Sequence, residues 1–359
     1  MQQSNLFPTR RSFIKSLLAT SAGIAAGQRK VLGQADRNFS TSRRIRIGFL
    51  GVAHSHATEK LKVAQENTAF DLIGVHEPDE SVRHRFAAAN VTFVSQSELL
   101  ERAEAVVVES AVADHARQAR LALEAGRHVH IEKPPTASLA ELRALIQLAK
   151  ERNRLLQVGY MWRFNPGFNV ALEAARQGRL GNIYLVRATM NTVVDAAKRP
   201  EWSPFPGGAM FEQGCHLIDA LVRLMGRPER VTPFLKTHGG NDTLADNCVA
   251  VFEFPRALGI ITNATMQPNA FAHRFFEVLG TNGTARLQPI EPPKVQIDLA
   301  KAAGSYSAGS QSVELPPYRR YVGEFNELAD AIRNGKSLSV TPEQELMVQE
   351  TLVRACGSQ

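Results

Sequence analysis

The stretch RIRIGFLGVAHSHATEKLKVAQE, Arg44–Glu66, decides the fold. Its first eight residues are a short apolar, β-branched run closed by glycine, the pattern of a buried strand. A helical stretch follows to about Glu66, and FDLIGVHE (70–77) then reads as a second strand. The alternation continues outward through VTFVS (91–95), AEAVVVES (103–110), RHVHIEKP (127–134) and RLLQVGY (154–160). The helical segments DHARQARLALEAG (114–126) and LAELRALIQLAKERN (139–153) lie between them. Strands and helices alternating at this length predict a parallel sheet covered on both faces. Ligands of such sheets bind beyond the carboxyl ends of the strands. That singles out Gly51–His56, Glu77, Glu109–Ser110 and Glu132–Pro134.

A dinucleotide fold carries G-x-G-x-x-G after its first strand, so that backbone can approach the pyrophosphate. Here those positions hold Gly51, Ala53 and His56, with His54 between them, so only the first glycine survives. Glu77 ends the second strand about 20 residues on, where an acid binds the ribose diol and repels a 2′-phosphate. This favours NAD over NADP; the competing reading is that Glu77 caps the next helix. His54 and His56 also form an H-x-H pair, a metal-ligand spacing for which the sequence offers no third ligand nearby. No metal is expected.

Further on, PGGAMFEQGCHLID (206–219) sets Glu212, His216 and Asp219 at i, i+4 and i+7, along one face of an otherwise apolar helix. Imidazole near its ordinary pKa accepts a hydroxyl proton at neutral pH. The acids can orient it or hold substrate, and Asp219 reads equally well as a structural hydrogen-bond partner.

The chain of 359 residues, 44% hydrophobic and 21% charged, is long enough for two globular domains. Most of its +7 net charge sits before Asp36, in Arg10, Arg11, Lys15, Arg29 and Lys30, and the remainder is nearly neutral. No basic stripe or aromatic-interleaved cluster points to nucleic acid. TRRSFIK (9–15) precedes an apolar run too short for a membrane span of about 20 residues. The leader, 1–35, resembles a twin-arginine export signal, with cleavage expected after Ala35. It implies a periplasmic or exported protein, with no stable membrane insertion after its removal. Cys215, Cys248 and Cys356 make neither a metal nor a disulfide framework.

EAGRHVHIEKPPTAS (124–138), GYMWRFNP (159–166), GGAMFEQGCHLIDALVRLMG (207–226) and YVGEFNELADAIRNG (321–335) stand in an order and spacing that resemble the Gfo/Idh/MocA oxidoreductases. The resemblance runs from about Arg44 to the C-terminus. It implies an N-terminal Rossmann domain (43–160) and a C-terminal α/β domain (161–359) with a large open, mostly antiparallel sheet. Strand-like runs at 182–193, 228–236, 247–254, 258–266 and 275–288 are compatible with that sheet. It further implies a homo-oligomer, dimer or tetramer, with contacts through the sheet.

Carried over by motif, Lys133 and His216 match the family's catalytic lysine and histidine, and Glu212 stands where the family has aspartate. Desolvation beside a nicotinamide ring is expected to lower the Lys133 pKa and let it shuttle a proton. Gly51, Ala53, His54, His56, Glu77, Ser110, His115, Glu132 and Lys133 are the expected cofactor residues. Arg163, Asn165 and Asp219 are the expected substrate residues, while Tyr160 and Trp162 suit either core packing or sugar stacking. The expected activity is NAD(P)-dependent oxidation of a sugar or polyol alcohol, with NAD preferred. The alternatives are a redox-assisted lyase or glycosidase of the same family and a non-catalytic sugar-binding module.

Overall fold

The alternating runs of the first half form one parallel sheet. The computed structural model describes residues 43–240 and 242–358, so the expected export leader lies outside the described residues. Strands β1 (Ile45–Leu50), β2 (Phe70–His76), β3 (Ala105–Val108), β4 (His128–Ile131) and β5 (Leu156–Val158) lie in the order β2-β1-β3-β4-β5. Every pairing is parallel. All four residues of β3 are buried, as a strand covered on both faces requires. The order reverses between β1 and β3, which opens a crevice beyond their carboxyl ends.

One expected strand is absent. Within VTFVS only Phe93 bridges, to Val75, and Ser95 at once caps the helix Gln96–Arg102 by accepting from the Glu98 amide. The helix start truncates the strand.

The second sheet has eight strands: β6 (Ile183–Thr189), β7 (Arg230–Lys236), β8 (Asn247–Phe254), β9 (Ala257–Ala264), β10 (Phe275–Gly280), β11 (Gly283–Leu287), β12 (Val295–Leu299) and β13 (Gly309–Val313). Their order is β13-β12-β11-β10-β6-β9-β8-β7, and β6 and β9 alone pair in parallel. The run 275–288 is thus not one strand but a hairpin turning at Thr281–Asn282. The helices Pro166–Arg176 and Cys215–Met225 pack on one face of this sheet. Tyr184, Leu258 and Phe234, about half exposed, are apolar side chains left uncovered by the chain. No helix among the described residues is long and apolar enough to cross a membrane.

Candidate active site

The turn after β1 keeps its one surviving glycine for a steric reason. Gly51 has φ +80°, and a Cβ there would lie 2.5 Å from the Ser110 Cβ at the end of β3. The buried Glu77 carboxylate accepts from the amides of Val52 (2.9 Å) and Asp79 (3.0 Å). It therefore ties the end of β2 to the β1 turn, and its remaining lone pairs are free for further donors. Helix capping by side chain falls to Asp79 instead, which accepts from the Ser81 amide.

His54 and His56 turn inward. The His54 backbone amide donates to the Glu109 carbonyl (2.9 Å), and the His56 amide donates to His54 Nδ1 (3.2 Å). His54 Nε2 must then carry the proton, 3.4 Å from Glu212 Oε1. His56 Nδ1 lies 2.9 Å from Glu132 Oε1. Burial pushes His54 down to about 4, against Glu132 and Glu212, and lowers His56 also. Both rings are neutral at neutral pH.

Behind them stands a network that motif reading did not predict. Lys60, fully buried, donates to Glu109 Oε1 (2.8 Å) and Glu132 Oε2 (2.5 Å) and lies 3.4 Å from Glu324 Oε1. His130 Nε2 is 2.8 Å from the same ammonium, and its Nδ1 faces Gln157 Oε1 at 2.8 Å. Burial opposes the Lys60 charge, but the three carboxylates outweigh it and hold its pKa well up. Burial likewise opposes the Glu132 charge, and Lys60 with the two histidines pulls it well down. Glu324 is pushed up to about 7 by burial, against Lys60. The Glu132 carboxylate, with none of its surface exposed, is anchored by Lys60 on one oxygen and His56 on the other.

Lys133 follows directly and donates to Glu212 Oε1 (2.6 Å) and to the Glu212 carbonyl (3.1 Å). Burial works against its charge as expected, but Glu212 beside it reverses the sign and raises the pKa. Glu212 thus holds Lys133 as an ammonium. Glu212 is held down at about 2; burial opposes this, and Lys133 and His54 override it.

The face shared by Glu212, His216 and Asp219 divides in the fold. Met210–Gly214 form a π-helical turn that runs into the helix Cys215–Met225. Glu212 meets Lys133, whereas Asp219 accepts from Arg163 at 3.0 and 2.8 Å. His216 lies between them, its ring 4.8 Å from Trp162 and 6.4 Å from His56. Burial, with Lys133 and His56, pushes its pKa well below the ordinary value, and its buried Nδ1 has no hydrogen-bond partner.

Three expected substrate residues are built into the scaffold. The Arg163 guanidinium also donates to Glu345 (2.5 and 2.7 Å), so both it and Asp219 are spent on a buried ion network. Asn165 caps the helix Pro166–Arg176 through the Gly167 amide and donates to the Ile290 carbonyl (3.1 Å). His115, placed in the cofactor set by motif, is wholly buried, with its nitrogens 2.9 Å and 3.1 Å from the carbonyls of Pro134 and Ser110. It braces two loops, and burial pushes it down to about 4. Ser110 and Ala53 do lie at the crevice, Ser110 against Gly51 and Ala53 in the turn itself.

Residues 45–160 match the model of an oxidoreductase family with an NAD-binding Rossmann fold, and residues 168–286 match the GFO/IDH/MocA C-terminal domain. An uncharacterized oxidoreductase of Schizosaccharomyces pombe is 34% identical over 137 residues, only 37% of either chain. The scyllo-inositol 2-dehydrogenase (NAD(+)) of Bacillus subtilis is 27% identical over 271 residues, 71% of this chain and 75% of that one. The crystal structure of GenD2 from gentamicin A biosynthesis, in complex with NAD, superposes with a TM-score of 0.77 at 23% identity. The match covers 91% of this chain and 97% of that one, and shows a common fold.

Proposed function

The chain belongs to the Gfo/Idh/MocA oxidoreductase family, and on that premise we propose that it oxidises a secondary alcohol of a sugar or polyol, with NAD the preferred cofactor. The observation that carries this reading is the buried, unpartnered His216 Nδ1 close to the Lys133–Glu212 ion pair. A buried polar atom without a partner costs about 1–3 kcal/mol, which a substrate hydroxyl would recover.

The β1 turn suits a dinucleotide: Gly51 takes the positive φ that the tight turn against Ser110 requires, and Glu77 offers free lone pairs after β2. The backbone of Gly51–Ala53 with Ser110 would hold the pyrophosphate side, and Glu77 the ribose. When bound, the dinucleotide supplies the hydride acceptor. Neutral His216 accepts the hydroxyl proton, and the Lys133 ammonium, fixed by Glu212, stabilises the oxyanion that develops. In the reverse direction protonated His216 returns the proton to the carbonyl oxygen, while the Lys133 ammonium hydrogen-bonds to it. The relative named as an inositol dehydrogenase supports a polyol as the substrate class.

The leader supports export through the twin-arginine route, which carries folded proteins. Free dinucleotide is scarce outside the inner membrane, so an exported enzyme retains its cofactor and runs a redox-neutral cycle. Dialysed protein is then expected to turn over without added NAD(P). The half-exposed Tyr184, Leu258 and Phe234 support a homo-oligomer through the open sheet.

The deciding experiment screens sugars and polyols for conversion by the dialysed protein, with and without added NAD(P), then repeats it with Lys133→Ala and His216→Ala. Each is expected to lower kcat by about 100-fold or more, the scale of a general acid–base group. Near-wild-type turnover in either variant removes that residue from the chemistry.

A further inference from the structure

The family assignment leaves unexplained why His56 stands at the last glycine position of the β1 turn, with His54 two residues before it. Their nitrogens converge on one carboxylate oxygen: Glu132 Oε1 is 2.9 Å from His56 Nδ1 and 3.9 Å from His54 Nδ1. The three atoms lie within 4.8 Å of one another. Zinc-class metals bind imidazole nitrogen at about 2.0–2.1 Å and carboxylate oxygen at about 2.0–2.2 Å, so these atoms need move by only about 1 Å to share an ion. The sequence hid the third ligand because Glu132 ends β4, far along the chain from the H-x-H pair.

An independent observation points to a cation: Glu109 Oε2 is buried, has no hydrogen-bond partner, and lies 3.9 Å from His54 Nδ1, in reach as a further ligand. The outer shell is also in place. Lys60 grips Glu132 Oε2, so Oε1 alone faces the histidines, and Lys60 is itself held by Glu109 and His130. Anchoring of this kind orients ligating carboxylates in metal sites.

We propose that His54, His56 and Glu132 bind one divalent transition-metal cation, with Glu109 as a further oxygen ligand. The mixed nitrogen and oxygen donors suit the zinc, cobalt and iron class rather than magnesium or calcium. In the metal-free state the His56–Glu132 hydrogen bond fills the place of the ion, and His54 Nδ1 accepts from the His56 amide, a bond that the ion replaces on binding.

The test uses the whole chain, stripped with a chelator, with Co²⁺ as the probe. Saturable binding of one equivalent is expected, with visible absorption from the bound ion and a Co²⁺-dependent rise in the thermal unfolding midpoint. His54→Ala and His56→Ala should each weaken Co²⁺ binding at least tenfold while melting cooperatively without metal. Should Glu132→Gln fail to fold, the two histidine variants carry the test. An absence of saturable Co²⁺ binding in the wild type overturns the proposal, as does wild-type affinity in both histidine variants. Neither readout involves dinucleotide or turnover, so failure here is distinct from failure of the oxidoreductase reading.

Discussion

Arg163 offers the sharpest separation of scaffold from site. Its guanidinium makes four hydrogen bonds to two carboxylates, with Asp219 on one side and Glu345 on the other. All three side chains are buried. Arg163→Met keeps most of the apolar stem and removes the charge, which leaves two buried carboxylates facing each other. Charge-assisted hydrogen bonds contribute about 1.5–3 kcal/mol each, but proton uptake and entering water recover part of that loss. Breaking a buried pair costs about 3–5 kcal/mol, and that range is expected here. Urea unfolding at neutral pH measures it. Asp219→Asn should cost less in the Arg163→Met background than in the wild type, with a coupling above about 1 kcal/mol. An Arg163→Met variant within about 0.5 kcal/mol of wild type, with KM for a confirmed substrate raised about tenfold, would refute the argument. Arg163 would then be a substrate contact after all.

Gly51→Ala should lose stability and dinucleotide affinity together, because its φ of +80° and the 2.5 Å approach to Ser110 both forbid a Cβ; unchanged affinity by titration would place the cofactor elsewhere. Glu77→Ala should weaken NAD and relax discrimination against NADP, measured by kcat/KM for each; a wild-type preference for NADP would remove Glu77 from that role. The pH dependence has two opposite signs. Glu212, held at about 2 in the fold, contributes stability that is present above its unfolded value and lost as pH falls from about 4.5 through 2. Glu324, raised to about 7, contributes stability that is full below about 4.5 and lost as pH rises through 7. Unfolding midpoints of Glu212→Gln and Glu324→Gln against wild type should therefore diverge in opposite directions across these windows.

The parallel half was legible because a strand buried on both faces writes a continuous apolar run, as in AVVV of β3. The antiparallel half was legible only in part. β12, VQIDL, alternates cleanly but lies just beyond two prolines, and β13, GSQSV, is a polar edge strand with almost no apolar signal. Motif reading gathered Lys133, Glu212 and His216 but also drew in Asp219, Arg163 and Asn165, since spacing reports a shared face and not which partner claims the side chain. On that one helix face, Lys133 captured the first acid and Arg163 the last.

The Lys60 network shows what a fuller reading needed. Within ATEKLKVAQE the apolar stripe runs through Ala57, Leu61 and Ala64, and Lys60 interrupts it. A lysine on the buried side of a helix requires an acid opposite it, because an unpaired buried ammonium is costly. The candidates were also visible, since Glu109 follows VVV directly and Glu132 follows HVHI. What the sequence lacked was the strand order. Once β3 and β4 are known to follow β1 across the sheet, their carboxyl ends bring both acids beneath the helix that leaves β1. The same order carries Glu132 to His54 and His56. The charged residue out of pattern and the histidine pair out of motif are therefore one feature, joined through a single carboxylate with Lys60 on one oxygen and His56 on the other.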